Sequence, residues 1–466
     1  MVQTLKGLSN DGLTRAEHNV VLPPSGDPEA LADPSLHAGT AVGDHLIASL
    51  AKLKGPPLVM QFRTDIRRRS RQIRTRQGVV ELAFDEGVIV AGDRRLAVCE
   101  LEIELVRGSP LAVIATARQW VLGHGLWLDT RSKAERGDML SRSESMAPER
   151  KAGKVRLSEE VTMDDALRCM LLSCLDQIAV NSSQVASGEY VDEHVHQLRI
   201  GLRRLRSVLR LMDVETAMPA VTEQAAILFR RLGAARDRAA VAEPLEQELR
   251  EALAVSGLEF DAPRLPAGEE ADPTDIVRFG PAQVLILGLY EWTQGRVASP
   301  SPRPFPQGDE GAKPDAQVQN PATHSHLCGE GGGEGSKLQT RDILVKRLKR
   351  LHRQVITDLK DFGTLKDVAR HRLRKRAKRL RYGTEFAASF LEKRKVRRYL
   401  DAMRQMQDAL GAYVDVTVAM KAYKSQSDND PRVLFALGWL TARKKELIAN
   451  IPRIAKAFRQ APSLWS

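Results

Sequence analysis

The chain has 466 residues, 42% of them hydrophobic, which suffices for two or three domains with real cores and excludes a wholly disordered polymer. Lys and Arg number 71 against 59 Asp and Glu, giving a net charge of +12 and a pI near 9.6, a balance that points to a polyanionic partner. No apolar run approaches the length of a membrane span, no signal-peptide core opens the chain, and Cys99, Cys169, Cys174 and Cys328 lie at neither zinc-finger nor redox spacing. The expectation is a soluble cytoplasmic protein with ordinary buried thiols and no membrane association.

Residues 1–140 read as a β-domain. Gly78–Asp85, Gly87–Ala91 and Ala97–Val106 alternate with period two between glycine breaks, the pattern of antiparallel strands and hairpins. In the last of these Glu100, Glu102 and Glu104 share one face and Leu101, Ile103 and Leu105 the other. Phe62–Ile73 alternates in part and sets Arg63, Asp65, Arg67, Arg69 and Arg71 together. One sheet face is then expected to carry both carboxylates and guanidiniums. That mixture suits a phosphate chain with a divalent ion, or equally an ordinary sheet whose charged side faces water. Pro23–Pro34 reads as a turn-rich connection, Leu46–Leu53 and Leu111–Leu122 as helices, and Leu126–Leu128 as a strand.

Phe62-Arg-Thr-Asp65, Cys99-Glu-Leu-Glu-Ile-Glu-Leu-Val106 and Ser132-Lys-Ala-Glu-Arg-Gly137 resemble the CYTH family, the triphosphate tunnel metalloenzymes. The resemblance implies a closed antiparallel β-tunnel that hydrolyses triphosphate with Mg²⁺ or Mn²⁺. It makes Glu100, Glu102 and Glu104 metal ligands and Arg63, Arg67 and Lys133 phosphate contacts. The family opens on a strand carrying Glu-x-Glu-x-Lys, and this chain lacks it; Lys6, Arg15 and Glu17 match the strands that follow. An N-terminally truncated, incomplete tunnel without phosphatase activity is therefore expected. An inorganic triphosphatase is the alternative if the missing strand lies upstream of Met1.

Residues 141–157 are polar and charged and read as a linker, after which the pattern turns helical. Ser158-Glu-Glu-Val-Thr opens a helix through Ala166–Asp176, and Asn181–Glu189 makes a turn. Then His196 heads a row with Arg199, Arg203 and Arg206, and His371 heads the same row with Arg374, Lys378 and Arg381. At 3.6 residues per turn each row lies on one helix face, with Leu198, Leu202 and Leu205, or Leu373, Ala377 and Leu380, on the other. Leu232-Gly233-x-x-x-Asp237 follows the first row and Leu410-Gly411-x-x-x-Asp415 the second, so the unit is used twice. A solvated face requires neither a fixed spacing nor a leading histidine. Further helices are expected at 221–232, 281–290, 346–359, 397–410 and 433–451. Residues 299–337, rich in Pro and then Gly, separate the halves 158–298 and 338–455 and are expected to be disordered; His324, His326 and Cys328 lie there without a fourth ligand.

The paired rows resemble the CHAD family of helical domains, over about 158–455. The resemblance implies two pseudo-symmetric halves whose basic faces line one surface that binds inorganic polyphosphate. It implicates His196, Arg199, Arg203, Arg204, Arg206 and Arg210 from one half, and His371, Arg374, Lys375, Lys378, Arg379 and Arg381 from the other. The family's Asp-x-Asp after Leu-Gly is absent at Asp237-Arg238-Ala239. The charge agrees: residues 341–404 hold 22 Lys/Arg against 7 Asp/Glu, leaving the rest of the chain slightly acidic. Aromatic residues are only 5% of the chain, few for a protein that stacks bases, which argues against nucleic acid as the third reading. The whole is thus expected to be an α+β, multidomain protein that binds polyphosphate without a cofactor, with polyphosphate granules as its place in the cell. Arginines beside His196 and His371 should depress histidine protonation and a bound polyanion restore it, so binding should tighten at mildly acidic pH.

Overall fold

The computed structural model describes residues 2–7, 16–22, 32–53, 58–257, 261–265, 271–295, 325–328, 337–425, 430, 432–461 and 464. They form two compact units, one of Met1–Ala117 with Leu128–Pro148 and one of Arg118–Trp127 with Glu149–Ser466. The architecture is α+β, with the strands gathered near the N-terminus and helices dominating thereafter. Among the described residues no helix is long and apolar enough to cross a membrane.

In the first unit β1 (Val2–Lys6) pairs antiparallel with β2 (Glu17–Val21), followed by α1 (Ala41–Leu53). β3 (Arg63–Arg74), β4 (Gly78–Ala91) and β5 (Arg94–Gly108) make a second antiparallel sheet in that order. Strand pairing does not join the two sheets among the described residues. α2 (Leu111–His124), through which the boundary between units runs, and α3 (Lys133–Ser141) complete the set. The expected pair of strands around Gly87 is one strand: a Cβ there would lie 2.0 Å from the Asp65 carbonyl oxygen, so glycine admits β3 rather than breaking β4. Leu126–Leu128 is not a strand. Ser132 caps α3 with Glu135 in a reciprocal capping box, which fixes where the following Lys133 and Arg136 emerge.

The second unit begins with β6 (Lys154–Leu157) inside the stretch expected as linker; Val155 and Leu157 are buried, which polarity averaged over the window conceals. α4 (Met163–Ser187) starts after Thr162, whose side chain accepts from Asp165 N, rather than at Ser158. It also runs through the expected turn at Asn181 to stop at Gly188, whose φ of +91° suits glycine. α5 (Asp192–Met212), α6 (Pro219–Val255), α7 (Pro273–Arg278) and α8 (Gly280–Gly295) follow; Gly233 lies inside α6, which is far longer than 221–232. The stretch expected as disordered lies outside the described residues apart from Lys337 and β7 (Ser325–Cys328), which pairs parallel with β6; His324 is among those outside. α9 (Lys337–Lys360), α10 (Asp367–Phe386), α11 (Lys393–Lys424) and α12 (Arg432–Arg459) complete the unit.

α5 packs on α4, α6 and α10, and α10 on α9 and α11, so the two His-headed helices lie side by side. Their apolar backs are fully buried at Leu198, Leu202, Leu205, Leu373, Ala377 and Leu380, each contributing roughly 1.5–3 kcal/mol where the side chain is large. Arg347 Nη1 donates to the Leu211 carbonyl at 2.6 Å and ties α9 to the end of α5. The thiols depart from expectation at two points, Cys169 being disulfide-bonded and Cys99 exposed, whereas Cys174 is free and buried, its burial pushing it up to about 11. Gly87→Val should lower the stability of the N-terminal unit by about 2 kcal/mol or more, because backbone must move to admit the side chain. Urea unfolding followed by N-terminal tryptic cleavage checks it; an unchanged midpoint would refute the close approach.

Candidate functional site

Beyond the first turn of α5, where Asp192 and Glu193 reach the surface, only one stripe does so: His196, Ile200, Arg203, Arg206 and Arg210. The stripe keeps a helical spacing of three to four residues, so its direction is set by the helix phase that buries the leucines. Arg199 and Arg204, expected on the same surface, are only 6% and 3% exposed. Arg204 turns inward, donating from Nη1 to Gln177 Oε1 at 2.8 Å and from Nη2 to Ser173 Oγ at 3.0 Å, with Phe386 4.9 Å beneath its guanidinium. Arg199 lies over the ring of Phe229 on α6 at 5.6 Å. On α10, His371 and Lys375 are exposed while Arg374, Lys378, Arg379 and Arg381 are half-buried.

Two adjoining features share Arg203. One is a cleft of about 690 Å³ that takes His196, Arg203 and Arg204 from α5 and Arg374, Lys378 and Arg381 from α10, with Asp408, Gly411 and Asp415 of α11 on its wall. Arg381 is paired there with Glu385 at 2.8 Å. The other is a cluster of like charge formed by Arg203, Arg206, Arg210, Lys375 and Arg379. Burial and the neighbouring Arg210, Arg230 and Arg203 depress the proton affinity of Arg206, and burial with Arg206 and Arg210 does the same to Lys375. Arg379 is lowered likewise by burial, Arg210, Arg376 and Arg206. One carboxylate, Glu215, lies near and receives Arg210 Nε at 2.8 Å. His371 is lowered by burial and by Lys375, Arg374 and Lys378. Cations outnumber acids here: six basic residues named on the cleft meet Glu385, Asp408 and Asp415, and the like-charged cluster meets Glu215.

In the N-terminal unit the register separates residues that alternation had joined. Arg68, Asp85 and Glu100 are opposite one another across β3, β4 and β5, whereas Arg67 faces Glu86 and Cys99 on the reverse side. Arg63 and Arg67 therefore do not share a face with the glutamates; Arg68 does, because the odd-numbered arginines of β3 meet the odd-numbered residues of β5. Arg63 is paired with Asp65 at 3.5 Å in water. Glu104 lies further along the strand, opposite Glu81. Asp85, Glu100 and Glu102 do come together, with oxygens within 4.8 Å of one another. Lys133 Nζ sits among them, 2.7 Å from Asp85, 2.6 Å from Glu102 and bonded to Glu100 as well. Arg68 adds bonds to Asp85 at 2.7 Å and to Glu102, and Arg136 bonds Glu100. Burial opposes charge on Lys133, but Asp85, Glu100 and Glu102 outweigh it and hold the ammonium above its ordinary value. Three carboxylates thus face three protein cations, and an ammonium occupies the centre. This arrangement does not fit a Mg²⁺ or Mn²⁺ ion, which needs those same oxygens.

The family model of the CHAD domain matches residues 169–424, more than half of the chain, from within α4 to the end of α11. The chain belongs to the CHAD domain family. Among solved structures it is similar to the CHAD domain from the plant Ricinus communis, at 23% identity and a TM-score of 0.47, covering 68% of this chain and 99% of that one.

Both basic stripes, the like-charged cluster and the cleft apart from Lys151 and Ala152 of its lining fall inside the matched residues; the Lys133 cluster falls outside them. Sequence reasoning missed Phe229, whose ring also receives Arg203 at 5.2 Å and Arg206 at 5.3 Å. The signal was faint: one phenylalanine beside Arg230 and Arg231, on a helix recognised only by its apolar spacing. Gly411 of the Leu-Gly element adjoins Arg374, since a Cβ there would meet Arg374 Nη2 at 3.8 Å, an ordinary contact. The side chain of Asp237 in the other Leu-Gly element lies outside the described residues. For the Lys133 cluster the sign of the pH effect is definite. Arg68 and Lys133 hold Asp85 below the usual carboxylate range, so its contribution is present above an ordinary carboxyl pKa of about 4 and lost as pH falls through the lower folded value. Lys133→Ala leaves the buried Asp85 undercompensated and should cost about 3 kcal/mol at pH 7.5. The deficit should shrink toward pH 5 as the carboxylates take up protons, which urea unfolding at the two pH values will measure.

Proposed function

We propose that the α5–α10 surface binds inorganic polyphosphate, with Arg203, Arg206, Arg210, Lys375, Lys378 and Arg379 as its principal contacts. The CHAD family is associated with polyphosphate binding. The observation that carries the reading is the cluster of Arg203, Arg206, Arg210, Lys375 and Arg379 on two adjacent helices, where burial and then the like-charged neighbours lower the proton affinity of Arg206, Lys375 and Arg379. A polyanion relieves that repulsion, and a phosphate chain presents oxygens at short intervals to guanidinium forks arrayed along two helices. His196, Arg374 and Lys378 extend the contact into the cleft. Arg199 and Arg204 support the surface from behind. The binding needs no metal or other cofactor, because the cations supply the whole countercharge.

Nucleic acid is the competing polyanion, and the aromatic rings of this surface argue against it. Phe229 already carries guanidiniums of the chain itself, and Phe386 is buried beneath Arg204, so neither ring is presented to a base. The N-terminal unit is read as a non-catalytic CYTH-like remnant, since its carboxylates are engaged by Lys133, Arg68 and Arg136.

Filter binding of long-chain polyphosphate should be tight, should weaken steeply with salt, and should survive excess tRNA. Arg203→Glu with Lys378→Glu should weaken it by a factor of ten or more, on the order of 1.4 kcal/mol at least. Displacement by equimolar tRNA would instead make the surface a general cationic one. Affinity should also rise as pH falls from 8 to 5.5. Free His371 is held below the ordinary histidine value of about 6.5, and a bound polyanion raises it, so complex formation takes up a proton. Equal affinity across that range, or an unchanged pH slope in His371→Ala, contradicts the linkage.

A further inference from the structure

We propose that Phe229 is a positioning residue of the anion surface, gathering three arginines of α5 on one ring before any ligand arrives. The guanidinium carbons of Arg199, Arg203 and Arg206 stand 5.6, 5.2 and 5.3 Å from the centroid of that ring. They occur at positions i, i+4 and i+7 of α5, one stripe of the helix, so a single aromatic residue on the facing α6 reaches all three. Left to themselves, like charges at this separation swing apart into water. The negative face of the ring offers each guanidinium a favourable alternative, and arginine accepts it because its planar group is weakly hydrated.

The consequence for binding is entropic. Arg203 and Arg206 are long side chains whose rotamer freedom is lost when a phosphate immobilises them. Held on Phe229 they have lost part of that freedom already, and the repulsion stored among them is released when the anion arrives. Arg199, buried, lies on the same ring and fixes the inner end of the stack. The N–H edges of a guanidinium lying on an aromatic face remain free to donate in its own plane, so stacking and phosphate contact use different parts of the group. The same construction recurs at Arg204 over Phe386 and at Arg231 over Phe279, both at 4.9 Å. Several aromatic residues of this unit thus partner arginine, and Phe229 gathers two cations of the exposed stripe, Arg203 and Arg206.

This inference rests on the polyphosphate reading, and the experiment separates the two. Polyphosphate affinity is measured at constant ionic strength for the full-length parent, Phe229→Leu, Phe229→Trp, Arg203→Ala, and the Phe229→Leu/Arg203→Ala double variant, alongside thermal unfolding. Phe229→Leu keeps most of the apolar volume and removes the π face; it should weaken binding by about tenfold with the unfolding midpoint little changed. Phe229→Trp should restore parent affinity, and the double variant should bind more weakly than Arg203→Ala alone but by less than the sum of the two single losses, because Arg203 shares the ring with Arg206. Should Phe229→Leu unfold early, Phe229→Met takes its place in the same cycle. A parent that binds and a Leu variant that binds equally well overturns the positioning role alone. Weakening that Trp does not restore, or that adds fully to Arg203→Ala, reduces Phe229 to ordinary packing and overturns it too. A parent that fails to bind overturns the polyphosphate reading and this inference with it.

Discussion

Like-charge repulsion, held in place by burial, is the constraint on which the helical unit depends. Arg203, Arg206, Arg210, Lys375 and Arg379 would separate if their helices could turn or slide. They cannot, because Leu198, Leu202 and Leu205 on one helix and Leu373, Ala377 and Leu380 on the other have no solvent exposure at all. Burial of that apolar surface exceeds the electrostatic cost at half-exposed positions, where water still moderates the charges. The fold thus keeps cations at a density that free side chains would not maintain, and a polyanion lowers the energy of the assembly by neutralising it.

Arginine serves this unit in two ways, and the difference follows from its planar group. Facing outward it presents donors to an anion. Facing inward it ties elements together: Arg370, 6% exposed, donates to the carbonyls of Phe362 and Gly363 at 3.0 and 2.8 Å and to Tyr413 OH at 3.0 Å. Arg204 does the same between α4 and α5. Lysine can place its ammonium over a ring, as Lys444 does over Tyr413 at 5.6 Å, but it has no planar fork to divide between carbonyls, which suits the inward role to arginine.

The N-terminal unit solves the same problem with opposite bookkeeping. Its carboxylates and cations are matched within the sheet and α3, with the ammonium of Lys133 bonded to Asp85, Glu100 and Glu102 together. A site neutralised from within has little to gain from an added ion, whereas the α5–α10 surface has much to gain from an added anion. The two units differ in balance: three carboxylates meet three cations in the sheet cluster, whereas cations outnumber acids along α5 and α10.

The helical rows were legible because a 3.6-residue period is local: buried Leu198, Leu202 and Leu205 and the exposed stripe from His196 to Arg210 follow from one helix and its phase. The same reasoning could not distinguish Arg203 from Arg199 or Arg204, since what buries the latter two is Phe229 of α6 and Gln177 and Ser173 of α4, remote in sequence. Alternation likewise found the strands and the shared face of Glu100 and Glu102. It paired them with Arg63 and Arg67 rather than Arg68 and Asp85, because a one-residue difference in register exchanges the two faces of a strand. By itself, then, the sequence determined which segments are amphipathic and where positive charge concentrates, since both depend on neighbours a few residues away. The tertiary structure alone decided which cations stay uncompensated, because that depends on what folds against them.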